Sequence, residues 1–503
     1  MVELKQYQML IDGEWVDAED NRRFESINPA TGAAWATIPD ASANDVNRAV
    51  EAAARAFSSG PWSKMTATER GRCLRRLGDL VAAQSEALGR IESIDTGKLY
   101  NETRWQAAYI AEYFHYYAGL ADKVHGDTLP IDKPNLLVMT LREPLGVVAA
   151  VVPWNSQLFL TAVKMGPALA AGNTVVLKAS EHASAAMLEF GRLIAEAKIP
   201  PGVVNIISGL AEPCGRTLTT HPKVARISFT GGPETARHII RHSAENLAEV
   251  SLELGGKSPV IVFEDADIES AVNGVVAGIF GASGQSCVAG SRLYVHENIA
   301  EEFLARLTAI ATQIRIGDPL GDKTQMGPLA TRGQLAKIEK EIARACAEGA
   351  TIRCGGRAPA DQKSGWFFEP TILECPTQQT AIMDTELFGP VLSVLRFRTE
   401  EEVTALANDS AYGLAAGIFT RDGARSLRMT KALRCGIVWV NTYRVVSPVA
   451  EFGGFKNSGY GRESGMQAIY DYTRVKTVWL NTSSDPMAWA FSSKIRRKLG
   501  VPM

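Results

Sequence analysis

The sequence has no apolar run approaching the ~20 residues that a membrane span needs. Its opening, MVELKQYQML, scatters charge where a secretory leader would carry an apolar block. The expectation is a cytoplasmic protein with no membrane partner. Charge of one sign is also lacking. Lys and Arg number 53 against 55 Asp and Glu, a net charge of −2. Phosphate-backbone binding calls for a basic excess, so nucleic acid is not an expected partner. Cysteine is sparse and odd in number: Cys73, Cys214, Cys287, Cys346, Cys354, Cys375 and Cys435, with no CxxC pair. That excludes a disulfide framework and fits reduced thiols. No HExxH or other metal spacing occurs among the histidines, so no metal is expected. The GxGxxG signature of many dinucleotide folds is missing as well.

What is present is an ordinary globular composition, 46% hydrophobic and 21% charged over 503 residues. That length suggests two or three domains. QMLIDGEWV reads as a hairpin turning at Asp12-Gly13. Residues 43–57, 66–95 and 103–120 read as helices, with apolar positions three and four apart. The last carries Trp105, Tyr109, Tyr113 and Tyr116 near one face, to pack a core or to line a passage. From residue 147, wholly apolar strands such as VVAAVV, NTVVLK and SPVIVF alternate with amphipathic helices, among them 157–171 and 212–220. Strands apolar on both faces belong to parallel βαβ units covered on each side. A second such series follows Cys287, so two α/β domains should meet near residue 256. NLLVMTLREP (135–144) and YDYTRVKTVWL (470–480) fall outside the pattern. They read as extended strands able to pair with each other and with another subunit. The basic tail SSKIRRKLGVPM is a solvated end or a surface-binding signal.

Three places invite a ligand. In FGASGQSCVAGSR, Cys287 stands among small residues rather than the bulky neighbours of a core thiol. The stretch is either a plain connector or a place where something other than protein reaches the sulfur. In SFTGGPETAR, Gly231 and Gly232 lie where a strand passes into a helix, whose N-terminus can face a pyrophosphate. A tight turn without a ligand accounts for them equally. In VVLKASE, Lys178 and Glu181 follow a strand end, where open α/β sheets bind ligands. A carboxylate there accepts from ribose hydroxyls and repels a 2′-phosphate, unless both charges are simply solvated.

Seven stretches stand in one order: VVPWN (151–155), GPALAAGNTVVLKASE (166–181), SFTGG (228–232), LELGGKSP (252–259), GQSC (284–287), ELFGPV (386–391) and FGGFKNSGYGRE (452–463). In that order they resemble the NAD(P)-dependent aldehyde dehydrogenase superfamily over nearly the whole chain. The resemblance implies an α/β fold of two doubly wound domains plus a small β oligomerisation flap. A cofactor domain would take residues 1–124 and 146–256, and a catalytic domain 257–445. The flap would take 125–145 and 471–490, with 446–470 connecting near the active site. Subunits would assemble as dimers or tetramers.

The resemblance also implies roles. Cys287 is the nucleophile toward a small-molecule aldehyde, because a thiolate attacks well and its thioester hydrolyses readily. Asn155 donates to the resulting oxyanion together with the Cys287 N–H, each donor contributing about 3 kcal/mol. Glu253 is the base that activates water. Branches of the family that release acyl-CoA generally lack this carboxylate, so a free acid is the expected product. Trp154, Lys178, Glu181, Gly231, Gly232, Leu254, Glu386 and Phe388 belong to the cofactor site, with NAD preferred over NADP, and Lys164 supports it. Ser156, Leu160, Ser286, Val288 and Phe452 line the substrate passage. Arg444 either lies at its mouth, attracting a carboxylated aldehyde, or is an ordinary surface arginine.

The chain departs from the family at two places. Gly232 stands where many relatives carry serine. Glu249 and Arg474 exchange the charges many relatives have, which predicts an ion pair between them. Two alternatives keep the Cys287–Glu253 pair: a cofactor-independent thiol esterase or hydrolase, and a dehydrogenase restricted to semialdehydes.

Overall fold

Asp12 and Gly13 both have positive φ, 54° and 82°. They close a two-residue turn between β1 (Met9–Ile11) and β2 (Glu14–Val16), matching the right-handed twist of the strands they join. The computed structural model to which these strands belong describes residues 4–484. The basic tail and the last part of the expected 471–490 segment lie outside the described residues. Helix α1 (Ala43–Ser58) starts in a reciprocal cap between Ser42 and Asp45. The expected helix 66–95 is two, α2 (Ala67–Ala83) and α3 (Ser85–Thr96), broken at Gln84. No Gly or Pro marks that break. The long α4 (Tyr100–Leu120) packs on both pieces, and tertiary packing sets the bend. Residues 212–220, expected helical, are α-helical only over Arg216–Thr220, after an irregular turn at Ala211–Gly215.

The chain next makes β3 (Leu136–Pro144) and then enters a sheet through β4 (Val147–Val151). There follow α5 (Gln157–Ala171), β5 (Thr174–Lys178), β6 (Val204–Ile207), β7 (Val224–Gly231), α6 (Pro233–Asn246) and β8 (Glu249–Leu254). Strands β4 to β8 are parallel, in the order β8-β7-β4-β5-β6, with β1 and β2 beyond β6. From β4 the chain builds outward through β5 and β6, then returns to add β7 and β8 on the other side. That reversal makes β4/β7 the topological switch point, and the crevice beyond the strands' C-terminal ends is where such sheets bind ligands.

Gly255–Ser258 carry the chain into a second sheet. Its elements are β9 (Pro259–Val262), α7 (Ile268–Phe280), β10 (Arg292–His296), β11 (Thr351–Cys354), β12 (Thr371–Glu374), β13 (Val391–Phe397), β14 (Ala415–Phe419) and β15 (Ile437–Val440). The order is β11-β12-β13-β10-β9-β14-β15, parallel except for β11. A short strand, Gly459–Tyr460, then crosses back to pair with β8 of the first sheet, aligning Gly459 with Glu253. The last strand, β16 (Thr473–Asn481), pairs antiparallel with β3 along its full length.

The expected Glu249–Arg474 ion pair does not form. Arg226 on β7 reaches Glu249 instead, at 3.4 Å, and Asp471 just ahead of β16 at 3.9 Å. Arg474 lies opposite Glu143 in the β3–β16 ladder. A buried arginine between two acids thus ties β8 to the root of the flap, a third partner that the exchanged charges alone could not reveal.

Candidate active site

Between α7 and β10 the backbone turns sharply. Ala282, Ser283 and Gly284 all take positive φ, 53°, 53° and 71°. Two consecutive non-glycine residues in the left-handed region are strained and persist only where their surroundings fix them. Here the Ala282 N–H donates to Glu102 Oε1 at 3.0 Å and Ser283 Oγ to the Gly327 carbonyl at 2.8 Å. A Cβ on Gly284 would stand 2.1 Å from the Gly389 carbonyl oxygen, so only glycine fits there. Gln285 is clamped by its side chain, which accepts the Ala330 N–H at 2.8 Å. The turn delivers Cys287, half-buried, to the gap between the two sheets: a Cβ on Gly256 would lie 2.8 Å from the Cys287 carbonyl oxygen. Burial pushes the thiol up to about 12, the Glu386 and Glu253 carboxylates add to that, and the Val288 N–H opposes it.

Asn155 follows β4 and reaches the same turn, its Nδ2 donating to the Gln285 carbonyl at 3.1 Å. One amide hydrogen is thereby fixed and the second is left to point elsewhere. Among the described residues no carbonyl takes the Cys287 N–H. Glu253, near the end of β8, is buried, and neither of its carboxylate oxygens has a hydrogen bond. Desolvation holds its carboxyl well above the usual range, Glu463 raises it further, and Lys164 and Arg462 pull it down. Behind it lies a buried ion pair, Lys164 with Glu463, with Lys164 Nζ also 3.1 Å from Ser228 Oγ. Backbone without a side chain lies in front of it: a Cβ on Gly453 would stand 2.9 Å from Glu253 Oε1.

The C-terminal ends of β4, β5, β7 and β8 bring the other expected positions to one edge. Lys178 is buried, and its Nζ lies 3.7 Å from the half-buried Glu181. Gly231 closes β7 and the exposed Gly232 opens α6, where a Cβ would meet nothing within 4 Å and no side chain caps the helix. An open glycine at the first turn of a 14-residue helix fits an anionic ligand such as a pyrophosphate. Leu254 is buried beneath this edge. From the second sheet, Glu386 Oε1 accepts the Gly256 N–H at 3.0 Å, and a Cβ on Gly255 would fall 2.0 Å from Glu386 Oε2. Phe388, at φ 56°, meets the Trp154 ring edge-on with centroids 5.4 Å apart. The arrangement fits a dinucleotide laid from Glu181 across the α6 N-terminus toward Glu386.

Of the expected passage residues, Ser156, Leu160, Ser286 and Phe452 are half-buried. Val288 is not in an open passage. It is 6% exposed in the second sheet's core, and its carbonyl accepts the Tyr443 hydroxyl at 2.9 Å. The chain runs inward directly after Cys287, burying Val288 and Ala289 together, so flanking Cys287 does not mean facing the cleft. The aromatic face of α4 divides by depth. Trp105 is 60% exposed and stacks on Tyr109 at 5.0 Å, while Tyr113 is buried against Phe159. Sequence reasoning missed Glu463, although it lies within FGGFKNSGYGRE, because its partner Lys164 is 299 residues away. It also missed Lys98, buried on α4's approach, whose Nζ donates to Gln106 Oε1 at 2.6 Å and Ser156 Oγ at 3.0 Å.

Comparison with known proteins bears on this arrangement. The family model described as the aldehyde dehydrogenase family matches residues 15–478. A (Z)-2-((N-methylformamido)methylene)-5-hydroxybutyrolactone dehydrogenase of Acinetobacter baylyi is 55% identical over 485 residues, 96% of this chain and 99% of its own. The crystal structure of PnpE in complex with nicotinamide adenine dinucleotide superposes with a TM-score of 0.94 at 43% identity, and PnpE from Pseudomonas sp. WBC-3 gives the same values. It covers 97% of this chain and 99% of that one. An NAD+ complex of an aldehyde dehydrogenase from Bacillus cereus gives 0.93 at 40% identity, covering 95% and 97%.

Proposed function

The chain belongs to the aldehyde dehydrogenase family, and from that premise we propose that it oxidises an aldehyde to a carboxylic acid with NAD through a thioester on Cys287. NAD is the cofactor. When bound, it supplies the hydride acceptor. Lys178 and Glu181 would hold its adenosine ribose, Gly231, Gly232 and the α6 N-terminus its pyrophosphate, and Glu386, Phe388 and Trp154 its nicotinamide end. The observation that carries the reading is the meeting of three groups from three elements. These are a thiol on a strained turn, an amide clamped to that turn, and a buried carboxylate with no hydrogen bond.

Those groups divide the work. The thiol rests protonated and loses its proton to the basic carboxylate of Glu253. The sulfur then adds to the aldehyde carbon, and the free hydrogen of Asn155 and the Cys287 N–H face the oxygen that becomes negative. Collapse of that oxyanion expels the aldehyde hydrogen as hydride and leaves an acyl thioester. Glu253 releases that first proton to solvent and then takes one from water, whose oxygen displaces the sulfur from the acyl carbon, and the second proton passes from Glu253 back to the departing thiolate. The overall balance is aldehyde, NAD+ and water to carboxylic acid, NADH and proton. A carboxyl held above its usual range is matched to this work, because as a carboxylate it binds a proton more readily than an ordinary glutamate does.

The flap and its exposed apolar strand support a homo-oligomer, dimer or tetramer. Reduced, unpaired cysteines support a cytoplasmic enzyme, and among the described residues no helix is long and apolar enough to cross a membrane.

The test is NADH formation from a panel of aldehydes by wild type, Cys287→Ala and Glu253→Gln. Cys287→Ala is expected to fall by at least about 10³-fold. Glu253→Gln, which lacks the base for both proton transfers, should slow NADH release in the first turnover and in those that follow, by about 10²- to 10⁴-fold. Ester cleavage that ignores NAD, with no NADH from any aldehyde, would overturn the reading in favour of a thiol hydrolase.

A further inference from the structure

Arg444 lies on the loop after β15 with φ 64°, a backbone state that long side chains seldom adopt. The loop is pinned on both sides of the mouth. Tyr109 Oη on α4 donates to the Val446 carbonyl at 3.0 Å, and Trp439 Nε1 to the Val445 carbonyl at 2.9 Å. Held this way, the half-buried Arg444 side chain turns in over the C-terminal end of α7. Its Nη1 donates to the Ala277 carbonyl at 2.9 Å, and a Cβ on Gly281 would stand 2.4 Å from the same nitrogen. Gly281 begins the turn that carries Cys287, so the guanidinium occupies space that a side chain at 281 would fill.

Among the described residues the Ala277 carbonyl is the one hydrogen-bond acceptor for a group with five N–H donors, and no carboxylate lies within ion-pair distance. Its charge is felt at both Cys287 and Lys98, favouring the thiolate of the first and the neutral amine of the second. The neighbouring acid, Glu102, has one oxygen committed to the Ala282 N–H. Opposite, Lys98 donates to Ser156 beside Asn155. Arg444 therefore brings a cation, and Lys98 and Ser156 polar groups, to the neighbourhood of the Cys287 turn, and the Trp105–Tyr109 stack is tied to the Arg444 loop through Tyr109.

We propose that Arg444 sets the specificity of the passage, and that the site takes aldehydes carrying a carboxylate at the far end, the ω-oxo acids. The guanidinium receives that carboxylate through its free N–H groups, in the paired geometry arginine offers. The aldehyde carbon lies toward Cys287 and Asn155. Ser156, held by Lys98, presents a hydroxyl to the chain between. The inference rests on the aldehyde-oxidation reading and names its substrate class. A rival role for Arg444 is only to cap the last carbonyls of α7, which would make no distinction between substrates.

The experiment compares 4-oxobutanoate with butanal and 6-oxohexanoate with hexanal, for wild type, Arg444→Gln and Arg444→Lys, with thermal midpoints measured alongside. In at least one pair the wild type should favour the oxo acid about tenfold or more in kcat/KM, expressed in KM. Arg444→Gln should lose about 10- to 100-fold on that oxo acid and less than about threefold on its alkyl partner, and Arg444→Lys should recover part of the loss. Equal losses on acid and alkyl substrates in either variant, or a wild type with no preference for the acids, would overturn the proposal while leaving aldehyde oxidation standing. No NADH from any of the four aldehydes would instead bring down the oxidation reading itself.

Discussion

A carboxylate buried without a hydrogen bond is an expensive arrangement, and Glu253 is in that position. Folding raises its pKa, so the folded state holds the proton more tightly than the unfolded state does. The associated stability is complete below the ordinary glutamate range and is lost as pH rises through the raised, folded value. Glu253→Gln keeps the shape and removes the ionisation. The variant should therefore melt above wild type, by about 1–3 kcal/mol in unfolding free energy, with the gap wider at pH 9 than at pH 6. Differential scanning calorimetry at the two values checks this; a gap that narrows with pH would mean the carboxylate is stabilised where it lies. At this scale the sequence showed where a side chain would lie when one short motif carries both the residue and its setting, as GQSC does for the turn of Cys287 and VVPWN for the Asn155 that reaches it. It was not readable where the setting comes from far along the chain. Glu463 acquires its meaning from Lys164, and Glu249 takes Arg226 rather than Arg474, because β7 lies beside β8 while the root of the flap folds over both.

Among the elements, α6 is left open at its N-terminal end, facing the edge where the parallel strands finish. Gly232 occupies its N-cap with no side-chain hydrogen bond and clear space around it. A serine there meets no steric barrier. It would offer an oxygen to the first-turn N–H groups and a hydroxyl donor to a pyrophosphate above them. Gly232→Ser should bind NAD roughly three- to tenfold more tightly, about one charge-assisted hydrogen bond reduced by competition with water, while the melting temperature hardly moves, since Gly and Ser differ at an N-cap by only a few tenths of a kcal/mol. Titration calorimetry with NAD decides it, and unchanged affinity would mean the pyrophosphate does not lie at this helix. Elements were the most legible level of the sequence. β4 to β9 announce themselves as apolar runs, and α5 falls on 157–171 as its periodicity predicts. The break at Gln84 was silent, since the cause is α4 lying across both halves. The inward turn of Val288 was silent too, since three successive positive-φ residues upstream decide which way its side chain points.

In the whole molecule, the second of the two extended stretches ends as the outer edge of a three-stranded flap, with β16 bordered on one side only. That strand is exposed on both faces, and Val475, Trp479 and Leu480 show 53%, 58% and 45% of their surface. A bare edge strand with apolar side chains is what single-chain proteins avoid, by charge, proline or a covering element. Here the lysine at 476 is drawn onto Glu143 across the ladder and does little to protect the edge. Burying these side chains against a second copy would remove the exposed apolar surface and satisfy the free backbone groups together. The paired substitution Val475→Lys and Trp479→Lys places like charges along the edge. It should lower the mass in solution from a multiple of the chain toward a single chain, by light scattering on a sizing column. Cys287 lies on a separate turn anchored by Glu102, Gly327 and Ala330, none of them in the flap. Stoichiometric alkylation of its thiol should therefore persist in the smaller species. A wild type that already runs as one chain, or a doubly substituted protein that keeps the larger mass, would mean that the edge is covered by something other than a second copy.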